Sequence, residues 1–264
     1  MIPFNLAEAR DTGAIITGTT QSGKTTLAKH LVERLTDNGD ICYVMDISQA
    51  WPNQCSIDET VEIAPNSTSI QVPTHNSAVI DLSALEYTKR IKYVIAFCKA
   101  IYAHNVSYGF KRAPQKYIVF EEGHTYFYNG VFRSPRVFSP CIDIVTVGAN
   151  FNLRFLAVTQ FPAMIDKALV KVCQQRYFGW STEMNDLNYI KGFVGKQYVT
   201  PTNKDGSPNE NSVFNLRKGQ FLYQLRNKIE KIQSAPYVPR RNSYNVNGTP
   251  IPQYSYSTQM SYNI

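Results

Sequence analysis

The stretch Gly18-Thr19-Thr20-Gln21-Ser22-Gly23-Lys24-Thr25 matches the phosphate-loop pattern G-x-x-x-x-G-K-[ST], and Thr26 follows it. The two glycines allow a tight turn in which consecutive backbone N–H groups point at phosphate oxygens. Lys24 is expected to reach the β- and γ-phosphates, and the Thr25 hydroxyl to coordinate Mg²⁺. The nine residues from Gly18 to Thr26 are therefore predicted to bind a nucleotide.

The segments on either side of this loop support the prediction. Gly13 to Thr17 is a short apolar run typical of a buried strand, and a helical pattern extends from Lys24 to about Leu35. The positive end of that helix dipole would point at the same anion. A strand, a phosphate loop and an amphipathic helix in this order indicate a P-loop NTPase rather than an ordinary glycine-rich turn.

Strand-like and helix-like segments alternate along the rest of the chain, which predicts an α/β fold with a mainly parallel central sheet flanked by helices. A helix is expected from Ala84 to about His104. Its predicted apolar face consists of Tyr87, Ile91, Val94, Ile95, Cys98 and Tyr102. Further strands are expected at Ile41–Ile47, Ser69–Val72, Ala78–Leu82, Tyr117–Phe120, Leu153–Thr159 and Arg176–Trp180.

Two carboxylates follow the apolar strand that ends at Phe120. Parallel sheets place ligands at the carboxyl ends of their strands, so Glu121 is expected to hold Mg²⁺ directly or through water. Glu122 is expected to act as the general base that polarises the attacking water. The alternative is a solvated pair at a strand end. His124 could sense the γ-phosphate or cap the next segment, and the pattern favours the cap.

Another apolar strand, Phe155 to Thr159, ends at Gln160. If it neighbours the strand before Glu121, then Gln160 lies opposite Glu122 and can orient the water. The segment Asn203-Lys204-Asp205-Gly206 only approximates the guanine motif N-K-x-D, because its acid comes one position early. Together these features favour an ATPase that uses water over a GTPase or a small-molecule kinase.

Length and composition limit the class of protein. A chain of 264 residues with 43% hydrophobic and 18% charged residues can bury a core, which excludes wholesale disorder. No apolar run approaches about 18 residues, and the first residues lack a signal-peptide core, so we expect a soluble cytoplasmic protein without membrane insertion. Five scattered cysteines without a CxxC pair argue against zinc and against disulfides.

Charge is distributed unevenly along the chain, whose net charge is +7. Residues 1–83 hold four basic and ten acidic side chains, whereas residues 84–264 hold 23 basic and ten acidic ones. This asymmetry indicates a polyanionic partner such as nucleic acid. The alternative is that the basic charge serves only to keep the protein soluble. Candidate phosphate contacts are Lys111, Arg112, Arg133 and Arg136, each of which could equally be an ordinary solvated charge.

The last 31 residues differ in composition from the rest, which predicts a core at 1–233 and an extended or disordered tail at 234–264. The tail holds four prolines and five tyrosines, and Arg240 and Arg241 are its only charged side chains. No helical or strand period is visible in it. A passive tail is favoured, although its tyrosines and arginines could stack on bases or dock on a neighbouring subunit.

The motifs together resemble those of the FtsK–HerA superfamily of ring-forming DNA translocases. The similar segments are GTTQSGKTT, YVMDIS with its strand ending in Asp46, AVIDLSAL, FEEGH, AVTQFP and LRKGQFLY. The resemblance runs from about Gly13 to Tyr223. The resemblance implies a RecA-like ATPase core with an additional strand, ATP with Mg²⁺, a homo-oligomeric ring and double-stranded DNA as the partner. The compact size is most similar to viral genome-packaging ATPases, for which capsid proteins are further partners and the host cytoplasm or the virion is the location.

The sequence departs from this family at two positions. Glu121 stands where the family has aspartate, which shifts the geometry at Mg²⁺. The family's trans-acting arginine finger follows a glycine, but Ala149 follows Gly148 here. Arg154 is the nearest replacement, with Arg133 and Arg136 as alternatives. Other functions left open are a HerA-like repair helicase or nuclease partner, a conjugation motor, and an interaction protein switched by ATP.

Overall fold

The computed structural model describes residues 2–67, 69–70, 72–73, 76–128, 141, 144–238 and 262–263. The strands in these ranges are β1 (Ala14–Thr17), β2 (Ile41–Asp46), β3 (Thr60–Glu62), β4 (Ser69–Ile70), β5 (Ala78–Asp81), β6 (Lys116–Phe120), β7 (Leu153–Thr159), β8 (Gln175–Gly179), β9 (Gln220–Leu225), β10 (Lys228–Gln233) and β11 (Tyr262–Asn263). The α-helices are α1 (Leu6–Thr12), α2 (Lys24–Asp37), α3 (Tyr87–Ser107), α4 (Lys167–Val172) and α5 (Met184–Val194). Single 3₁₀ turns lie at Gly123–Thr125, Gly148–Phe151, Pro162–Met164, Lys196–Tyr198 and Val213–Asn215.

Nine of the described strands form one sheet in the order β10-β9-β8-β1-β7-β6-β2-β5-β3. β1 pairs in parallel with β7 and β8, and β2 pairs in parallel with β5 and β6. Within the described part of this sheet, β9 pairs antiparallel with both of its neighbours, β8 and β10. β7 lies between β1 and β6, which is the additional strand of RecA-like ATPases. The predicted fold class is therefore confirmed.

The contacts divide the chain into two compact units. The first unit consists of Met1–Ala28, Glu122–Arg133 and Leu156–Tyr237, and the second of Lys29–Glu121, Ser134–Phe155 and Val238–Ile264. In the first unit, α5 and the loops after it cover β8 and β9 with aliphatic and aromatic side chains. This core contains Phe178, Leu187, Ile190, Val194, Val199, Val213, Leu216 and Leu222.

In the second unit, α3 contributes a buried face that differs from the predicted one. Tyr87 was expected in this face but is 58% exposed, because it lies in the first turn of the helix. Phe97 is fully buried and packs edge-on against Tyr43 of β2, with ring centroids 5.4 Å apart. The buried residues of α3 are Tyr93, Val94, Phe97, Cys98, Ala100, Ile101 and Asn105. The face is thus centred about one residue away from the prediction, although Val94 and Cys98 belong to both.

The predicted tail lies mostly outside the described residues. β10 ends at Gln233, the predicted boundary, and residues 234–238 have no regular secondary structure. Residues 239–261, with Arg240 and Arg241, are not described, while β11 pairs antiparallel with β4. The division at residue 233 remains a prediction. All five cysteines are buried free thiols. In the part of the chain that the structure describes, no helix is long and apolar enough to cross a membrane.

Candidate nucleotide-hydrolysis site

Two glycines of the phosphate loop occupy positions that other residues could not adopt without strain. Gly18 has φ 147°, and a Cβ atom there would lie 2.7 Å from Ser22 Oγ and 3.1 Å from Gly179 Cα. Gly23 has φ 99°, and its Cβ atom would lie 3.2 Å from Gly219 Cα. The backbone conformation and the close neighbours both account for glycine at these two motif positions.

Neighbouring loops of the first unit hold the phosphate loop in place. Thr19 N donates to Trp180 O at 2.8 Å, and Gly219 N donates to Ser22 O at 2.8 Å. Lys24 is the first residue of α2 and is 7% exposed, and its Nζ donates to Thr19 O at 2.7 Å. Thr19 Oγ1 and Ser22 Oγ are buried and have no hydrogen-bond partner among the residues that the structure describes. A buried amine and two unpaired hydroxyls at a helix N-terminus are donors that fit phosphate oxygens.

Gln160 follows β7 directly and contacts the phosphate loop. Its Oε1 accepts a hydrogen bond from Thr20 Oγ1 at 2.8 Å. The preceding Thr159 is fully buried, and its Oγ1 accepts from Phe161 N at 3.1 Å, which fixes the turn after the strand. The structure therefore brings the predicted sensor residue to the loop that would hold the phosphates.

Glu122 has a left-handed backbone conformation, with φ 53° and ψ 53°. Its side chain is 24% exposed, and its Oε2 lies 3.3 Å from His124 Nδ1. His124 Nδ1 also lies 3.1 Å from Thr159 Oγ1, so the imidazole joins the carboxylate to the end of β7. A Cβ atom at Gly123 would lie 3.3 Å from Ala157 Cβ, which shows how closely this turn packs on β7. His124 thus positions Glu122, a role that the sequence did not assign.

Glu121 lies in the second unit and belongs to a buried polar cluster. Glu121 is 4% exposed, and its Oε2 accepts from Trp51 Nε1 at 3.0 Å. Trp51 N donates to Asp46 Oδ2 at 3.0 Å, while Asp46 Oδ1 accepts from Ser48 N and Oγ. These bonds fix two strand-end carboxylates, those of β2 and β6, through one tryptophan. Trp51 was missed because nothing in its local sequence pairs it with a residue 70 positions away.

Lys29 supplies positive charge to the same cluster. Its Nζ donates to Ala50 O at 2.6 Å and lies 5.8 Å from the centre of the Trp51 ring. Burial lowers the pKa of Lys29, while Cys55, Glu121 and Asp46 act to raise it. A helical lysine five residues after Lys24 gives no sequence signal for this role.

Comparisons with known proteins concern the fold. No protein-family model and no curated protein sequence matches the chain. The genome packaging NTPase B204 of Sulfolobus turreted icosahedral virus 2, in complex with ATP-γ-S, matches with a TM-score of 0.58 at 16% identity, over 87% of this chain and 99% of that chain. The DNA-packaging ATPase B204 of Sulfolobus turreted icosahedral virus matches with a TM-score of 0.59 at 14% identity, over 85% and 97%. The pCW3 conjugation coupling protein TcpA, with ATP-γ-S, matches with a TM-score of 0.53 at 13% identity, over 87% and 62%.

The chain has the P-loop NTPase fold that these solved structures share. At identities below 20%, the likeness concerns the fold, and the resemblance predicted from the motifs is confirmed at that level. The roles of individual residues in this P-loop ATPase fold remain predictions.

Arg154, predicted as the arginine finger, lies near the start of β7 in the second unit. It is 3% exposed, and its Nη1 donates to the carbonyl of the preceding Leu153 at 3.1 Å. A finger that acts on a neighbouring subunit has to be presented at the protein surface. The burial of Arg154 therefore argues against this role in the present conformation. The alternatives Arg133 and Arg136 lie outside the described residues.

Other charged residues singled out from the sequence lie in exposed loops. Lys111 and Arg112 are exposed in the loop before β6, and Lys111 N donates to Asn150 O at 2.8 Å. Asp205 is exposed, and hydrogen bonds from the Ser207 hydroxyl and N–H lower its pKa. Asp205 thus closes its own turn, which leaves the N-K-x-D-like segment without the geometry of a base-reading motif.

Proposed function

We propose that this protein binds ATP at the phosphate loop and hydrolyses it with water. The observation that carries the proposal is the loop itself, where the buried Lys24 amine and the unpaired hydroxyls of Thr19 and Ser22 meet at the N-terminus of α2. Such an arrangement of donors binds polyphosphates.

The hydrolytic step needs a group that activates water and a group that orients it. We assign the first role to Glu122, whose partly exposed side chain has its Oε2 3.3 Å from His124 Nδ1. We assign the second role to Gln160, which already contacts Thr20 of the phosphate loop. Glu122 would accept a proton from the water as it attacks the γ-phosphorus, and the bond from that phosphorus to the β–γ bridging oxygen would break to release ADP and phosphate. Lys24 would balance charge on the phosphate oxygens.

The chemistry of the two ligands predicted from the motifs suits a magnesium ion. Thr25 offers a hydroxyl in the first turn of α2, and Glu121 offers a buried carboxylate. Mg²⁺ prefers oxygen ligands and is bound by one or two protein side chains together with substrate phosphates. When bound, the ion would neutralise charge on the phosphates, and Glu121 would hold it directly or through water.

We further propose that hydrolysis drives translocation of double-stranded DNA by a homo-oligomeric ring that packages a viral genome, with capsid proteins as docking partners in the host cytoplasm. The structural neighbours named for DNA packaging and for conjugation support a DNA motor, as does the basic excess of residues 84–264. The residue that a neighbouring subunit would insert is left unassigned, because Arg154 is buried.

The test is the ATPase rate of the full chain with and without duplex DNA. We expect DNA to stimulate the rate, and Lys24→Ala to abolish it, because phosphate binding loses its buried cation. Lys99→Ala, which removes an exposed lysine of α3, is the matched control and should retain the rate. A slow rate that DNA does not change would instead support an ATP-switched interaction protein. An unchanged rate in Lys24→Ala would contradict hydrolysis at this loop.

A further inference from the structure

Trp180 is a large aromatic residue at the edge of the phosphate loop, and the hydrolysis mechanism does not use it. It follows the last residue of β8 and is 39% exposed. Its backbone carbonyl accepts the hydrogen bond from Thr19 N at 2.8 Å. The Trp180 side chain therefore projects from the backbone that supports the loop, within the first unit.

The indole of Trp180 is anchored by its only polar atom. Nε1 donates to Phe214 O at 3.1 Å, and the next residue, Ser181, donates from its N–H to Val213 O at 3.3 Å. Phe214 is itself 37% exposed. Since Nε1 is the sole donor of tryptophan, the exposed remainder of the indole is apolar ring surface. Two partly exposed aromatic residues, joined by the hydrogen bond from the Trp180 indole to the Phe214 carbonyl, thus lie beside the phosphate loop.

Single exposed aromatic residues are common on protein surfaces and need no explanation. The position of this pair is what distinguishes it. A nucleotide whose phosphates occupy the loop places its ribose and base outside the loop, beside the residues that support it. Flat heteroaromatic bases stack on tryptophan faces, and an indole whose edge is fixed loses little freedom when a base stacks on it.

We propose that Trp180 binds the base of the nucleotide by stacking. The inference rests on the proposed binding of ATP at the phosphate loop and names the part of the substrate that the loop does not contact. Stacking would add binding free energy that the triphosphate alone does not supply. It follows that the affinity for ATP should depend on Trp180, whereas the affinity for inorganic tripolyphosphate should not.

The experiment measures dissociation constants for ATP and for tripolyphosphate by titration calorimetry on the full chain. Trp180→Ala should weaken ATP binding about 5- to 150-fold, the range expected for one base on one aromatic ring, and should leave tripolyphosphate binding within about twofold. Trp180→Phe keeps an aromatic face and should retain most of the ATP affinity. Phe110→Ala removes an exposed aromatic residue of the second unit and should change neither constant.

The outcomes separate this inference from the proposed function. If the unaltered protein binds neither ligand, nucleotide binding at the loop is wrong. If it binds both and Trp180→Ala leaves the ATP constant unchanged, the stacking role alone is overturned. Equal weakening of ATP and tripolyphosphate by Trp180→Ala would also overturn it, because the residue would then act on the loop through Thr19 and not on the base.

Discussion

Glu122 and Glu121 are adjacent in sequence but have different surroundings. Glu121 is buried and bonded to Trp51, whereas Glu122 is partly exposed and lies 3.3 Å from His124. Glu122 also has a φ of 53°, which is uncommon for a residue with a Cβ atom and costs on the order of 1 kcal/mol. Backbone strain of this kind is retained where it aims a side chain. These different surroundings support the different roles that we propose for the two carboxylates, Glu121 at the metal ion and Glu122 at the water.

Glu122→Gln should retain ATP binding and lose hydrolysis. The amide keeps the size of the side chain but cannot accept a proton from water, and general-base catalysis contributes about 10²–10⁴-fold. We expect kcat to fall at least about 100-fold in steady-state assays. Glu210→Gln, at an exposed glutamate, is the control and should match the unaltered protein. Normal turnover by Glu122→Gln would show that another group activates the water.

Trp51→Phe tests the cluster around Glu121. The phenyl ring fills much of the same space but lacks the Nε1–H, so Glu121 Oε2 loses a hydrogen bond in a buried environment. Loss of one hydrogen bond to a buried carboxylate costs about 1–3 kcal/mol. The free energy of unfolding, measured by urea titration, should fall by that amount.

Trp180→Phe is the matched control for this stability measurement. It removes the same indole N–H at a site that is 39% exposed, where water can replace the donor to Phe214 O. Its loss of unfolding free energy should be clearly smaller than that of Trp51→Phe. Equal losses would mean that ring volume, rather than the bond to Glu121, determines the effect.

Individual residues of the site could be predicted from sequence only where a motif fixes their spacing. Gly18 and Gly23 have the positive φ that the phosphate-loop pattern requires, and Gln160 reaches Thr20 as a strand-end residue. Trp51 and Lys29 could not be predicted, because their contacts depend on loops folding back onto the sheet. Arg154 shows the opposite case: its position in the sequence suggested an arginine finger, but its side chain is buried.

At the scale of elements, α3 and β6 meet through a buried lysine. Lys116, the first residue of β6, is fully buried, and its Nζ donates to Asn105 Oδ1 at 2.6 Å and lies 3.0 Å from His104 Nδ1. Its Nζ also lies 5.8 Å from the centre of the Tyr108 ring. Burial lowers the pKa of Lys116 from 10.5 to about 8. Below about pH 8, the interface between α3 and β6 therefore contains a buried ammonium group whose charge is destabilised by burial.

This buried lysine should make stability depend on alkaline pH in a definite direction. Between about pH 8 and 10.5 the unfolded lysine keeps its proton while folded Lys116 loses it, so the unfolded state binds more protons. The free energy of unfolding should then gain a contribution that rises with pH, by at most about 1.4 kcal/mol per pH unit. Below pH 8 both states are protonated and this contribution is flat. Urea titrations from pH 7.5 to 10 measure the slope.

Lys116→Met removes the titrating group and keeps a similar side-chain volume. The slope of unfolding free energy against pH should be less positive in this variant than in the unaltered protein over the same window. Lys99→Met, at an exposed lysine of α3, should preserve the slope. Identical slopes in all three proteins would contradict a lowered pKa for Lys116.

The elements themselves were predicted to different degrees. β7 lies at the predicted residues, and β2, β6 and β8 differ by only a residue or so at their ends, because buried parallel strands are continuous apolar runs. The face of α3 was misplaced by about one position, since its side chains are apolar around much of the circumference. α1, α4 and α5 were missed; all three are short, and short helices are stable mainly through packing against the rest of the fold.

For the whole molecule, charge is the property most directly tied to the proposed DNA partner. Residues 84–264 hold 23 basic and ten acidic side chains, whereas residues 1–83, with the phosphate loop, are acidic overall. Among the described basic residues, Lys111 and Arg112 are exposed, and the Lys111 ammonium lies 5.7 Å from the centre of the Phe110 ring. A surface that neutralises phosphates releases counterions, so its affinity for DNA depends on salt rather than on base sequence.

Duplex binding should therefore weaken steeply with salt and be similar for unrelated sequences. Neutralising only two phosphates lowers the affinity about tenfold between 50 and 200 mM salt, and each further neutralised phosphate steepens the dependence. Fluorescence anisotropy with two unrelated duplexes measures both properties.

Substituting Lys111 and Arg112 together by alanine should reduce the salt slope by about two, because each of these side chains would neutralise one phosphate. The matched double substitution of the exposed Lys191 and Lys196 by alanine should leave the slope unchanged, because DNA would contact a localised surface that includes Lys111 and Arg112. An equal reduction of the slope would mean that any two positive charges have the same effect. Binding that salt does not affect would exclude the phosphate-dominated grip that a sequence-independent DNA motor requires.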